Sequence, residues 1–311
     1  MNELLIHSMA EFSDVILGVL DLSGARTVVE IGVGISGAIG AAFAPEFSRE
    51  IMGMTQTLAA FCARKRGRLI AIDPTPAPGF VDWAAAQPHV SHIARPSLDV
   101  VTALTGINAW VIDGDHNYYT VINELTAADA LARRERTQLQ AMLQHVGCPC
   151  ARRDMYYAPG SIPAEYRQPR SHDAGVTLDD PGYRIDRGYR GAGKFAWALQ
   201  AGGPENGVLT AIEDFCRRAE SGSRRLLYAQ IPAAFGLHVL FDADAPWAVA
   251  VAEALIPFHE NPLLARLETN ELHNYLTVLD ISRARTENLT AKLAIERVSQ
   301  SGAGRYRICE T

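Results

Sequence analysis

Apolar residues recur at three- and four-residue spacing over residues 4–20 (Leu4, Leu5, Met9, Phe12, Val15, Ile16 and Val19), the pattern of an amphipathic helix with one buried face. The pattern then shortens. Thr27–Ile31 is a β-branched run, followed at once by Gly32-Val33-Gly34-Ile35-Ser36-Gly37. Residues 38–65 read as one or two helices broken near Pro45. Further short apolar runs predict strands at 69–72, 90–94, 109–112 and 139–146, with a helix over 118–134. Strand and helix alternate throughout this part of the chain, which predicts an α/β fold with a parallel sheet covered by helices on both faces.

The rhythm stops at residue 147. From 147 to 206 the chain is rich in Gly, Pro, Arg and Tyr and no period lasts. So long an irregular span is usually functional, often a lid. Helical spacing returns over 207–220, strands are predicted at 226–231 and 236–241, and helices at 247–255 and 262–296. In the last of these, Leu263, Leu264, Leu267, Leu272, Tyr275 and Leu276 recur at helical spacing, as in a core face or a homodimer seam. The organisation expected is an N-terminal helix (1–25), a catalytic-type domain (26–241) with 147–206 as an inserted lid, and a C-terminal helical extension (242–311).

Composition narrows the function classes. The 311 residues carry a formal net charge of −6 and are 48% hydrophobic, values of a globular protein with a full core. Mild acidity argues against a nucleic-acid binder. The first 24 residues have no basic leader, and the apolar stretch at 246–258 is interrupted by Glu253 and too short to span a bilayer. The expectation is a soluble, cytoplasmic protein. Only Lys65, Lys194 and Lys292 are lysines, an Arg bias that suggests a GC-rich bacterial source. Five cysteines at irregular spacing do not suggest a disulfide framework, and Cys148-Pro149-Cys150 lacks the second pair of a zinc site.

Three places carry chemistry. Glu30-Ile31-Gly32-Val33-Gly34 follows a strand, so the backbone can turn tightly and approach a ligand. The leading acidic residue suits a ligand with an ammonium group, although a plain tight turn fits too. Asp73 ends the second strand, where a carboxylate can accept both ribose hydroxyls of an adenosine or simply cap a turn. Asp113-Gly114-Asp115-His116-Asn117-Tyr118-Tyr119 follows a buried strand. Its Asp113, Asp115 and His116 suit cation binding, substrate orientation or acid–base work, beside the ordinary turn chemistry of Asp and Gly.

Together, Glu30-Ile-Gly-Val-Gly, Ile72-Asp73-Pro74 and Ile112-Asp-Gly-Asp-His-Asn-Tyr resemble class I S-adenosylmethionine-dependent methyltransferases, in the branch of macrocin-type and catechol-type O-methyltransferases. Residues 152–157, 162–167 and 203–208 resemble bacterial members of that branch. The resemblance implies a doubly wound, Rossmann-like, seven-stranded sheet. It implies Gly32 and Gly34 packed against the methionine part of S-adenosyl-L-methionine and Glu30 near its amino end. Asp73 would take the ribose hydroxyls, Ser97 and Leu98 would lie near the adenine, and Asp113 would stand where metal-dependent members hold a divalent ion. Asp115 and His116 would face cofactor or substrate.

The chain departs from that pattern after the fifth strand, where Gln144-His145 stands in place of acidic ligands. Gln is a poor ligand for Mg²⁺. Asp113, His145 and His116 would suit Zn²⁺, Fe²⁺ or Ni²⁺ instead, or the site holds no metal at all. The general base is then expected to be His145 or His116, unless both are structural histidines. Arg152, Arg153 and Arg167, with Tyr156, Tyr157, Tyr166, Tyr183 and Tyr189, are expected to form the wall for a small-molecule acceptor, if 147–206 is more than a surface loop. The activity expected is methyl transfer to a hydroxyl of a phenolic or sugar-bearing metabolite, as in natural-product biosynthesis. N-methylation, a non-catalytic cofactor-binding scaffold and, more remotely, an NAD-dependent oxidoreductase are the alternatives.

Overall fold

A computed structural model describes residues 9–33 and 53–303 apart from 186 and 192, with side chains as far as 286. A short 3₁₀ turn leads into α1 (Ser13–Ser23), then β1 (Thr27–Ile31). There follow α2 (Gly53–Arg64), β2 (Arg68–Ile72), α3 (Phe80–Ala85), β3 (Val90–Ile93), β4 (Ala109–Ile112), α4 (Tyr118–Glu135) and β5 (Gln140–Gln144). Five very short strands occupy the next sixty residues: β6 (Met155–Tyr156), β7 (Arg170–Ser171), β8 (Gly175–Val176), β9 (Tyr189–Arg190) and β10 (Ala196–Ala198). The chain closes with α5 (Val208–Ser221), β11 (Leu226–Ile231), β12 (Leu237–Asp242), α6 (Ala248–Leu255) and α7 (Pro262–Ala303).

The main sheet has seven strands in the order β3-β2-β1-β4-β5-β12-β11. Six run in one direction and β12 lies antiparallel between β5 and β11. This is the doubly wound, seven-stranded arrangement expected. Alternation along each strand feeds two cores. Val28, Leu69, Val111 and Met142 face one way, against Ile16, Val19 and Leu20 of α1 and Leu58 and Phe61 of α2. Val29, Ile31, Ile70, Ile112 and Leu143 face the other, against Leu125 of α4 and Ile212 of α5. The sheet is therefore buried on both sides, as parallel sheets require. The N-terminal helix shares its core with the sheet and is packed as part of the same layer.

Strand order reverses between β1 and β4, and in open α/β sheets the crevice beyond the carboxyl ends of the strands at such a point receives the ligand. Gly32, φ +83°, makes the turn there. A Cβ on it would stand 2.3 Å from the Asp113 carbonyl oxygen, so the loops after β1 and β4 can lie together only around a glycine.

The segment 147–206, read from sequence as irregular, is an ordered layer. β6, β10 and β7 form a three-stranded antiparallel sheet, and β8 pairs with β9. Buried polar groups organise it. Asp154 Oδ1 accepts from the backbone N–H of Tyr118 (2.8 Å) and Gly207 (2.7 Å), and its Oδ2 accepts from the Tyr156 hydroxyl (2.6 Å). One carboxylate thus satisfies N–H groups at the starts of both α4 and α5, where helices need an acceptor. Asn206 accepts from the Asp154 N–H and donates to two lid carbonyls. Arg153, fully buried, donates to the carbonyls of Ala198, Pro181 and Gly182.

Helix α7 ties the lid to the sheet. The Glu268 carboxylate accepts from the N–H groups of Ala234 and Phe235, at the β11–β12 turn (2.8 Å each). Asp280 accepts from Gly188 (2.9 Å). No helix among the described residues is long and apolar enough to cross a membrane.

Candidate active site

A cavity of about 810 Å³ opens at the strand-order reversal. Its floor comes from strand ends and the loops that follow them: Glu30, Gly32, Asp73, Asp113 and Asp115, with Ser97 from the 3₁₀ turn after β3. Its roof is aromatic: Tyr157, Tyr189, Phe195 and Trp197 from the lid, Phe235 from the β11–β12 turn and Tyr275 from α7.

Glu30 ends β1 with its side chain buried. Oε1 accepts from Thr55 Oγ1 (2.9 Å), while buried Oε2 has no hydrogen-bond partner. Burial pushes this carboxyl up to about 8, partly offset by the Thr55 bond. Asp73 follows β2. Its Oδ2 accepts from the Val33 N–H (3.1 Å) and Oδ1 from the Thr75 N–H (2.8 Å), and burial again raises it. Each of these oxygens keeps a lone pair for a ligand. Ser97 lies on the cavity wall, its hydroxyl donating to Glu124 of α4, a carboxyl that burial lifts to about 8. Gly34 lies outside the described residues.

Asp113 follows β4 directly. Its carboxyl is raised by burial to about 6, with His145 acting in the opposite sense. Oδ1 lies 3.4 Å from Nε2 of both His116 and His145. The two imidazoles lie against each other tilted by 36°, with centroids 3.9 Å apart, and His145 stacks on Phe235 at 5.2 Å. His145 stands at φ +63°, turning the chain sharply out of β5. Burial holds His116 down at about 3, so it stays neutral through the physiological range. Asp115 Oδ2 is held by Asn117 Nδ2 (2.6 Å) and Thr120 Oγ1 (2.9 Å) at the start of α4, and burial raises this carboxyl too.

Not every residue expected at the site reaches it. Tyr157 lines the cavity. Arg152 instead forms a two-pronged pair with Glu213 on the surface (2.7 and 2.6 Å), beyond the cavity wall. Tyr156 is fully buried, with its hydroxyl spent between Asp154 and the Gln168 N–H. Arg153 serves lid carbonyls, and Tyr166 packs on Tyr119. In their place the roof uses Phe195, Trp197 and Phe235, which the sequence does not single out, and Tyr275, which it places in a core face or homodimer seam. Cys150, buried on the wall, lies with His116 and His145 so that their ligand atoms are all within 4.8 Å of one another.

One electrostatic feature dominates. Glu30, Asp73, Asp113 and Asp115 share one cavity, and among the described residues no Arg or Lys forms an ion pair with any of them. Burial raises all four carboxyls, Asp113 and Asp73 raise Glu30 further, and the cations that line the cavity, Arg190 and Lys194, come from the 147–206 layer and pair with none of the four; a cation entering at the floor relieves them.

No family model matches the sequence, and no curated protein matches it. Solved structures similar to the chain include several methyltransferases. The Burkholderia thailandensis 1,6-didemethyltoxoflavin-N1-methyltransferase, with bound 1,6-didemethyltoxoflavin and S-adenosylhomocysteine, is similar at 11% identity and a TM-score of 0.37, covering 76% of this chain and 78% of that one. A methyltransferase from Aquifex aeolicus is similar at 9% identity and 0.35, over 76% and 94%. The mitomycin 7-O-methyltransferase is similar at 12% identity and 0.38, over 75% of this chain, which spans about half (53%) of that longer one.

Proposed function

We propose that the chain is an S-adenosyl-L-methionine-dependent methyltransferase acting on a small molecule, with a phenolic or sugar-bearing hydroxyl as acceptor. The observation that carries this reading is the cavity itself: on the floor four carboxylates, none of them paired with an Arg or Lys among the described residues, and opposite them aromatic rings with Arg190 and Lys194. S-adenosylmethionine brings an ammonium and a sulfonium, the charges this floor lacks. Glu30 presents its unpartnered oxygen to the ammonium. Asp73, at the end of β2, takes the ribose hydroxyls. The loop after β1, shaped by Gly32, lets the backbone approach without a side chain between.

The acceptor half follows from the roof. Tyr157, Tyr189, Phe195 and Tyr275 offer flat faces to a ring, and among phenolic and sugar acceptors they suit the phenolic one better. Cofactor carbon and acceptor oxygen are brought into line by the two halves of one cavity. The methyl group arrives already activated on sulfur, so alignment supplies much of the rate. The acceptor proton leaves toward the wall formed by His145 and Asp113. Of the two histidines His145 suits this better, because a group held at about 3, as His116 is, makes a weak base.

The resemblance also implied a hard divalent cation at Asp113. The residues do not fit one. Gln144 donates to the Ala234 carbonyl (3.1 Å) and stays out of the cavity, and the groups nearest the Asp113 carboxylate are the imidazoles of His116 and His145, where such ions take six oxygens.

Titration calorimetry with S-adenosylmethionine and S-adenosylhomocysteine tests the cofactor, and mass spectrometry on a panel of phenols and glycosides tests transfer. Binding with a mass gain of one methyl group on an acceptor is expected. Absence of binding overturns the reading, and binding with no product across the panel points to the scaffold alternative.

A further inference from the structure

Three donors of another kind meet on the same wall. His116 comes from the loop after β4, His145 from the end of β5, and Cys150 from the turn beyond it. One ligand atom from each lies within 4.8 Å of the other two. His116 and Cys150 are buried, and His145 nearly so. The carriers are pinned. His116 O accepts from Met155 N (3.0 Å), the Cys150 carbonyl accepts from Val208 N (2.9 Å), and Gly147 N donates to Phe235 O (2.6 Å). Asp113 Oδ1 faces Nε2 of both rings at 3.4 Å, long for a charge-assisted hydrogen bond, which runs at about 2.7–2.9 Å. His116 Nδ1 is buried and has no hydrogen-bond partner, an orphan that needs a ligand.

We infer that His116, His145 and Cys150 bind a borderline divalent metal of the Zn²⁺ class. Two imidazoles and a thiolate are the donor set such ions select and Mg²⁺ or Ca²⁺ avoid. A carboxylate behind the histidines is the usual outer partner of a ligating imidazole, fixing its tautomer and orientation. Three protein ligands leave one position open, and the site faces the cavity, the arrangement of metal sites that act on a ligand. The sequence offers the two histidines as candidate ligands beside Asp113 but not Cys150, which it pairs with Cys148. His145 lies on the same connection as Cys150, and the sheet brings that connection against His116 in the loop after β4. An ion there supplies Lewis-acid charge at the acceptor end. It also takes up His145, so metal binding and proton acceptance by His145 exclude one another.

The test is cobalt substitution of the full chain, stripped with chelator and held reduced. Co²⁺ binding at one equivalent is expected, with visible bands of a four- or five-coordinate ion and a near-ultraviolet thiolate-to-cobalt band. Cys150→Ser removes the thiolate band while Cys148→Ser keeps it. Asp113→Asn keeps the band and weakens Co²⁺ binding by about 10–100-fold, as loss of an outer partner does. Wild-type protein that binds no Co²⁺, or binds it without a thiolate band, overturns the inference whatever the variants do. A band that survives in Cys150→Ser, with folding verified by circular dichroism, overturns it as well. Neither cofactor nor acceptor is present, so failure of the metal site leaves the methyl-transfer reading standing.

Discussion

Replacing Glu30 with Gln isolates the electrostatic argument in one residue. The amide keeps an oxygen for the Thr55 hydroxyl but cannot ionise. In the wild type, burial holds the folded carboxyl at about 8 against 4.5 in the unfolded chain. Between these values the native state keeps a proton that the unfolded state has lost, so stability falls as pH rises. At about 1.36 kcal/mol per unit, the contribution of Glu30 between roughly pH 5 and pH 9 is about 4 kcal/mol. Titrating groups outside the cavity act equally in both proteins and cancel in the difference, while Asp113 and Asp73, the smallest causes of the Glu30 shift, add a minor remainder. Urea unfolding across that range should therefore show Glu30→Gln gaining on the wild type by about 4 kcal/mol toward the alkaline end. A difference that stays flat within about 1 kcal/mol would mean that Glu30 ionises as it does in water, and the argument for a cation-seeking floor would fall with it. The same proton should appear in binding. At neutral pH the wild type should release close to one proton on taking up S-adenosylmethionine, read from calorimetry in buffers of different ionisation enthalpy, and Glu30→Gln should release none from this site.

Asp73→Ala should weaken S-adenosylhomocysteine binding by about 10–150-fold in calorimetry, the equivalent of about 1.5–3 kcal/mol for bonds to a charged acceptor, with circular dichroism unchanged. Asp154→Ala leaves three buried donors without an acceptor. It should lower unfolding stability by about 3–5 kcal/mol in urea. Arg152→Ala, which breaks an exposed pair with Glu213, should cost less than about 1 kcal/mol and leave cofactor binding unchanged.

The sheet was legible because its signals are local. Thr27–Ile31 and Ala109–Ile112 are short apolar runs that end in glycine or aspartate, and those ends fall at the cavity. The floor followed, since Glu30, Asp73 and Asp113 stand directly at or after strand ends. The lid was not legible, because no apolar period organises it. Asp154, Arg153 and Asn206 do so by satisfying backbone groups far away in sequence, and such bonds leave no spacing to read. Tyr156 and Arg152 looked like binding residues for the same reason. Their side chains are of the right type, but one hydroxyl and one guanidinium are already committed. Tyr275 illustrates the converse: it sits in a helical stripe that reads as core, and α7 lays it over the cavity.

The division between floor and roof has a consequence for engineering. Every floor carboxylate is set by a strand end of the main sheet, whereas the roof rings arrive on the lid, the β11–β12 turn and α7. Under the proposed function, randomising Tyr157, Phe195 and Tyr275 searches acceptor chemistry with the proposed methyl donor's seat held constant. A library designed on that reading selects for new acceptors without altering the floor carboxylates.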